Sequence, residues 1–204
     1  TIRAKDVALQ NVKLGHDRAN GFIGTQVRNS GKSGRPLVCT EFDRLILLKN
    51  SGEFSVIPVP QKRYVGAVKY LLKAEKDTVY SLIYRDRKTG KHYAKRFRID
   101  SYIMEKEYRA IPKNCRIERL YTTDNVIIRC EFKYQPKSGD GHIDLNFKDV
   151  ELRSKEARGR KIADRQIKRF VLLDQQPIPE NGESTEHDTE QAAVTPENAS
   201  QHER

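Results

Sequence analysis

The sequence predicts an all-β, propeller-like domain of about four blades. Short apolar runs alternate with turn signals, and the hairpins they form recur about every 35–50 residues. Convincing helical periodicity is almost absent. The composition, 36% hydrophobic and 33% charged, suits small sheets with much polar surface.

The first hairpin is expected from residues 7–14 (VALQNVKL) and 22–27 (FIGTQV), around Gly15, Asn20 and Gly21. The second joins 44–49 (RLILLK) to 53–59 (EFSVIPV) through Asn50, Ser51 and Gly52. The third joins 79–85 (VYSLIYR) to 92–99 (HYAKRFRI) around Asp86, Lys88 and Gly90. The fourth joins 126–134 (VIIRCEFKY) to 143–150 (IDLNFKDV) across Ser138, Gly139, Asp140 and Gly141. The best helical period lies in 154–170, where Ala163, Ile167 and Phe170 share one face and Gly159 interrupts. From about Gln175 the chain lacks aromatics and apolar period, and it is expected to be a disordered acidic tail. The expected division is residues 1–173 as the folded domain and 174–204 as the tail.

The net charge of +11 conceals a split. Residues 174–204 carry eight acidic side chains and one basic one, a net −7, which leaves +18 on residues 1–173. A body so lopsided attracts polyanions, beyond what solubility requires. The acidic tail could fold back onto that body and compete with them. Cys39, Cys115 and Cys130 stand far apart and are expected to be reduced, mostly buried thiols. No signal peptide and no run of roughly 18 apolar residues is visible, so a cytoplasmic protein with no membrane contact is expected. The chain begins at Thr1 rather than Met, as a fragment of something larger would.

No Walker loop, G-x-S-x-G elbow or H-E-x-x-H motif occurs, and the five histidines are scattered. No catalytic residue, metal site or cofactor is therefore expected. The basic clusters carry more information. Residues 153–169 (RSKEARGRKIADRQIKR) hold Arg153, Lys155, Arg158, Arg160, Lys161, Arg165, Lys168 and Arg169 against only Glu156 and Asp164. Such a run could clamp successive phosphates, with Gly159 permitting close backbone approach. On the strand 91–98, alternation places Tyr93, Lys95, Phe97 and Ile99 on one face, with the aromatics in the core. It puts Arg96 and Arg98 on the other face with His92, pointing outward about 6–7 Å apart, near the phosphate repeat of a DNA strand. The hairpin tip adds Arg85, Arg87, Lys88 and Lys91. Lys62 and Arg63, and then Arg28, Lys32 and Arg35, are further loop candidates. Tyr and Phe fall mostly at core positions, which argues against base stacking on single strands and for contact with the backbone of duplex DNA.

Several stretches carry a resemblance. GFIGT (21–25), FDRLILLKNSGEFSVIPV (42–59), YVG (64–66), TVYSLIYRDRKTGKHYAKRF (78–97) and KEY (106–108) resemble, in order, the C-terminal domain of the A subunit of bacterial type IIA topoisomerases, nearer topoisomerase IV than gyrase. The resemblance covers about residues 7–173. It implies a β-pinwheel: four-stranded blades that exchange strands, with DNA bent around a basic rim. It places the catalytic tyrosine elsewhere in the A subunit, with the ATPase in the B subunit. It also implies a monomeric isolated domain. EARGRK (156–161) is at most a remnant of the gyrase glutamine-arginine-glycine box, which speaks against strong chiral wrapping. Four repeats against six in a full disc imply an open or C-shaped ring. The alternatives are a basic β protein that binds RNA or the ribosome, and a propeller with an acidic protein partner. The lack of Trp speaks against the last.

Overall fold

The computed structural model describes residues 12–30, 36–134 and 139–175. The first hairpin is β1 (Val12–Asp17) and β2 (Phe22–Gly24), followed by β3 (Leu37–Cys39). The second is β4 (Arg44–Leu48) and β5 (Glu53–Pro58), followed by β6 (Arg63–Tyr64) and β7 (Tyr70–Lys73). The third is β8 (Tyr80–Asp86) and β9 (His92–Phe97), followed by β10 (Tyr108–Arg109) and β11 (Cys115–Tyr121). The fourth is β12 (Val126–Phe132) and β13 (His142–Asn146). After a single 3-10 turn come β14 (Leu152–Arg153), β15 (Arg160–Lys161) and β16 (Ile167–Gln175).

One rule of strand exchange builds all four sheets. The first strand of each hairpin takes a partner from later in the chain: β3 on β1, β7 on β4, β11 on β8 and β16 on β12. The second strand takes a short piece from beyond the next hairpin: β6 on β2, β10 on β5 and β14 on β9. Each sheet is thereby stitched to the one that follows. Among the described residues nothing pairs with the second edge of β13, so the fourth sheet has three strands.

The sheets stack face to face, so the middle two are buried on both faces. In β4, Leu45 and Leu47 pack with Leu14, Ile23 and Cys39 of the first sheet. Ile46 and Leu48 face the other way, onto Tyr80, Leu82 and Tyr84 of the third. In β8, Ile83 turns from that cluster to join Ala94, Val126, Ile128 and Cys130 between the third and fourth sheets. Two-sided burial explains why β4 and β8 read as continuous apolar runs rather than alternating ones.

Three sequence expectations are corrected here. Residues 154–170 form no helix: the segment is a turn, then β15, then β16, whose IKRFVLLDQ is rich in β-formers and pairs along the whole of β12. The first hairpin turns at Asp17–Gly21, and Gly15 lies within β1. A Cβ on Gly15 would strike the Val27 carbonyl, so that glycine serves close approach rather than a turn. Residues 147–149, expected to extend a strand, form the 3-10 turn. The expected tail beyond Gln175, the residues before Val12, and Lys32 and Arg35 lie outside the described residues.

The three thiols are free and buried. Burial pushes each upward, Cys130 to about 12. In native protein at pH 8 they are expected to resist Ellman's reagent, with all three reacting in denaturant. Stoichiometric labelling of the native state would contradict this packing.

Candidate nucleic-acid interface

The two basic clusters are separated by more than fifty residues in sequence, and the third sheet brings them together. β9 is the meeting point. β14 runs parallel to its end, with Leu152 opposite Arg96 and Arg153 opposite Phe97. β15 then returns antiparallel beside its start, with Arg160 opposite Ala94 and Lys161 opposite Tyr93. The Ile162 N–H extends the ladder to the His92 carbonyl at 3.0 Å. The loop Ser154–Gly159 is therefore clamped at both ends on the strand that carries the other cluster.

The tip between β8 and β9 is built by its own side chains. The Asp86 carboxylate accepts from the Lys88 N–H at 2.8 Å and the Thr89 N–H at 3.3 Å. The Gly90 N–H donates to the Asp86 carbonyl at 2.8 Å, with Gly90 at φ +70°. The backbone N–H bonds, that from Lys88 first, hold the Asp86 carboxyl below its ordinary range. Arg87 and Lys88 are left exposed at the apex. The first hairpin uses the same D-x-x-x-G device: Asp17 accepts from the N–H groups of Ala19 and Asn20, both at 3.2 Å, and Gly21 has φ +73°. Both turns read Asp-Arg-x-x-Gly, which places the exposed Arg18 in the position of Arg87. Sequence reading overlooked Arg18, although comparing the two turns would have found it.

Ion pairs divide the basic residues into two groups. Arg63 pairs with Glu105 (2.8 Å), Arg96 with Asp124 (2.9 Å), Arg153 with Glu151 (2.7 Å) and Arg169 with Glu131 (2.7 Å). Asp164 takes both Lys91 (3.2 Å) and Lys161. Among the described residues no carboxylate lies within ion-pair distance of Lys62, Arg85, Arg87, Lys88, Arg98, Lys155, Arg158, Arg160, Arg165 or Lys168. Several of these cations rest on rings: Lys155 Nζ lies 4.9 Å from the Tyr108 centroid, and the Arg158 guanidinium 5.3 Å from that of Tyr93. Arg165 lies over Phe132 at 5.4 Å and Lys62 over Phe22 at 5.1 Å. Ring contact limits the wandering of a cation without neutralising it.

A model of the topoisomerase C-terminal domain of Bacteroidota matches residues 13–174. The chain belongs to that family. The A subunit of DNA topoisomerase 4 from Borreliella burgdorferi is 29% identical over 117 residues, which are 54% of this chain and 18% of that protein. The chain thus spans under a fifth of this curated relative's length. A crystal structure of the C-terminal domain of DNA topoisomerase IV superposes with a TM-score of 0.51 at 12% identity, over 76% of this chain and 59% of that one. That likeness supports the β-pinwheel fold, and the sequence matches make the chain an accessory domain of a topoisomerase A subunit. Among the described residues no helix is long and apolar enough to cross a membrane, and no cluster of His, Cys, Asp or Glu is arranged to hold a metal ion.

Within this topoisomerase domain, the free cations of the 153–161 segment and of the 85–91 tip share one sheet. Arg63 belongs to the first sheet through β6, with Lys62 just before it, while Lys168 and Arg169 lie on β16 of the fourth. The expectation that Arg96 and Arg98 point freely outward is corrected. Arg96 does lie opposite Tyr93 and Phe97, but the fourth sheet packs on that face too, with Phe170 edge-on to His92 and Ala94 among Val126, Ile128 and Cys130. Arg96 is 17% exposed and ion-paired, and Arg85, Arg96 and Arg98 each bury an Nε with no hydrogen-bond partner. His92, packed edge-on to Phe170, is pushed down to about 4 by burial and adds no positive charge. The sequence assumed one solvent-facing side for β9, whereas sheets pack against both of its faces.

Proposed function

We propose that the domain is a non-catalytic holder of duplex DNA for a bacterial type IIA topoisomerase, which grips the phosphate backbone and steers the transported segment. The reading is carried by the pairing of β15 with β9, which brings the basic segment of Lys155, Arg158 and Arg160 onto the strand that follows the exposed Arg87–Lys88 tip. The +18 charge of residues 1–173 supports it. In this reading the catalytic tyrosine lies in the remainder of the A subunit, with the ATPase in the B subunit. Both would be partners in the cytoplasm, at the nucleoid. Unpaired cations on a folded surface recognise backbone charge rather than sequence, so affinity comes from counterion release.

Replacing Arg158 and Arg160 with Ala, and separately Arg87 and Lys88, is expected to weaken duplex binding and flatten the plot of log affinity against log salt. Each phosphate no longer neutralised takes about 0.9 off the slope, so each pair of substitutions takes off roughly 2. Fluorescence anisotropy over a salt series measures it. Unchanged slopes in both double variants would overturn the reading. Tighter binding of structured RNA than of duplex DNA would favour the RNA-binding alternative.

A further inference from the structure

Lys95 sits where a lysine is least expected. It is 1% exposed, among the largest fully buried side chains, and among the described residues no carboxylate is within ion-pair distance. Its Nζ donates at 2.7 Å to the Ala110 carbonyl and at 2.7 Å to the Lys155 carbonyl, and lies 4.7 Å from the Phe97 ring centroid. Both acceptors follow exchanged strands: Ala110 directly follows β10, and Lys155 lies two residues past β14. A polar head is costly to bury, and an apolar side chain would fill the space without that cost. What the ammonium adds is two directed bonds to carbonyls that take no other hydrogen bond among the described residues.

A second buried side chain acts on the same loop. Tyr84, stacked on Tyr93 with centroids 5.3 Å apart, accepts the Gly159 N–H on its hydroxyl at 2.9 Å. Gly159 lies so close to β9 that a Cβ there would sit 2.6 Å from the Ala94 carbonyl oxygen. The loop's two ends are thus gripped from inside the core. Its outer side carries Arg158 and Lys155 on the rings of Tyr93 and Tyr108.

We infer that Lys95 and Tyr84 are positioning residues for the cationic loop Ser154–Arg160, fixing from within the core the spacing at which that loop meets a polyanion. The inference rests on the proposed DNA-holding role for its consequence, but not for its geometry. An amine in either charge state has enough N–H groups for both carbonyls, so the grip persists across neutral pH. Gripping a loop before binding avoids ordering it during binding, which favours affinity.

Two variants test it in the whole domain. Lys95→Met keeps length and apolar bulk but removes the donors. Tyr84→Phe removes only the hydroxyl. Each is expected to speed amide hydrogen exchange at Gly159, Arg160 and Ile162 by about fivefold to tenfold, while β12 and β4 amides keep their protection. Each should weaken duplex binding severalfold. Combined with Lys155→Ala, Arg158→Ala and Arg160→Ala, neither should weaken it further, because the grip acts through the cations of the loop. Unchanged exchange in the loop would overturn the positioning role. So would an effect on affinity that simply adds to that of the triple substitution. If Lys95→Met does not fold, Tyr84→Phe decides alone, since it adds no bulk. If loop exchange rises while the arginine pair proves irrelevant to DNA, positioning stands and the DNA reading falls.

Discussion

Gly52→Ala is expected to lower the unfolding free energy by about 2–4 kcal/mol. Two costs combine. Gly52 holds φ +84° in the turn between β4 and β5, where a side chain costs roughly 1–2 kcal/mol. A Cβ there would also press into Ile111, coming 2.9 Å from its Cδ1 and 3.2 Å from its backbone N. Ile111 is 2% exposed and belongs to the piece that follows β10, whose Ala110 N–H donates to the Gly52 carbonyl at 2.8 Å. Overpacking at that point costs a further 1–3 kcal/mol or so and strikes the junction of two sheets. Gly139 provides the control. It has φ +93°, but no described atom lies within 4 Å of its would-be Cβ, so alanine there should carry the backbone cost alone. Urea unfolding of both variants measures the difference. Equal losses at the two positions would show that the exchanged strand does not press on Gly52.

The stability of the domain should rise between pH 7 and pH 10 by an increment that Lys95→Met abolishes. Burial pushes the Lys95 ammonium down to about 7, opposed only by the more distant Glu156 carboxylate. In the unfolded chain the same group stays protonated to about pH 10.4. Between those values the unfolded state holds a proton that the folded state has released, so stability increases with pH. At about 1.4 kcal/mol per unit, the full increment is about 4 kcal/mol by pH 10. Other groups titrate in this window, including the tyrosines, so the informative quantity is the difference between wild type and Lys95→Met at each pH. A flat difference from pH 7 to pH 10 would mean that the ammonium is as well solvated in the fold as in water.

Much of the architecture was legible in the linear sequence. RLILL before Asn50-Ser51-Gly52, and YSLIYRD before Lys88-Thr89-Gly90, encode hairpins through local propensity and turn chemistry, which act over a few residues. The basic run from Arg153 to Arg169 was legible for the same reason, since charge density is a local property. Its shape was misjudged. A 3.6-residue spacing of Ala163, Ile167 and Phe170 suggested a helix, but the open edge of β12 offered a ladder to IKRFVLLDQ that only the folded chain presents.

By itself the sequence determined that the chain is all-β, built from repeated hairpins and strongly basic over residues 1–173, because periodicity and charge are written residue by residue. The tertiary structure alone decided which cations remain available. Stacking of sheets on both faces of β9 buried His92 and left Arg96 largely covered and ion-paired, and exchange of β14 and β15 carried the distant basic loop onto β9. Burial and long-range strand pairing depend on which surfaces meet, and no local pattern records that.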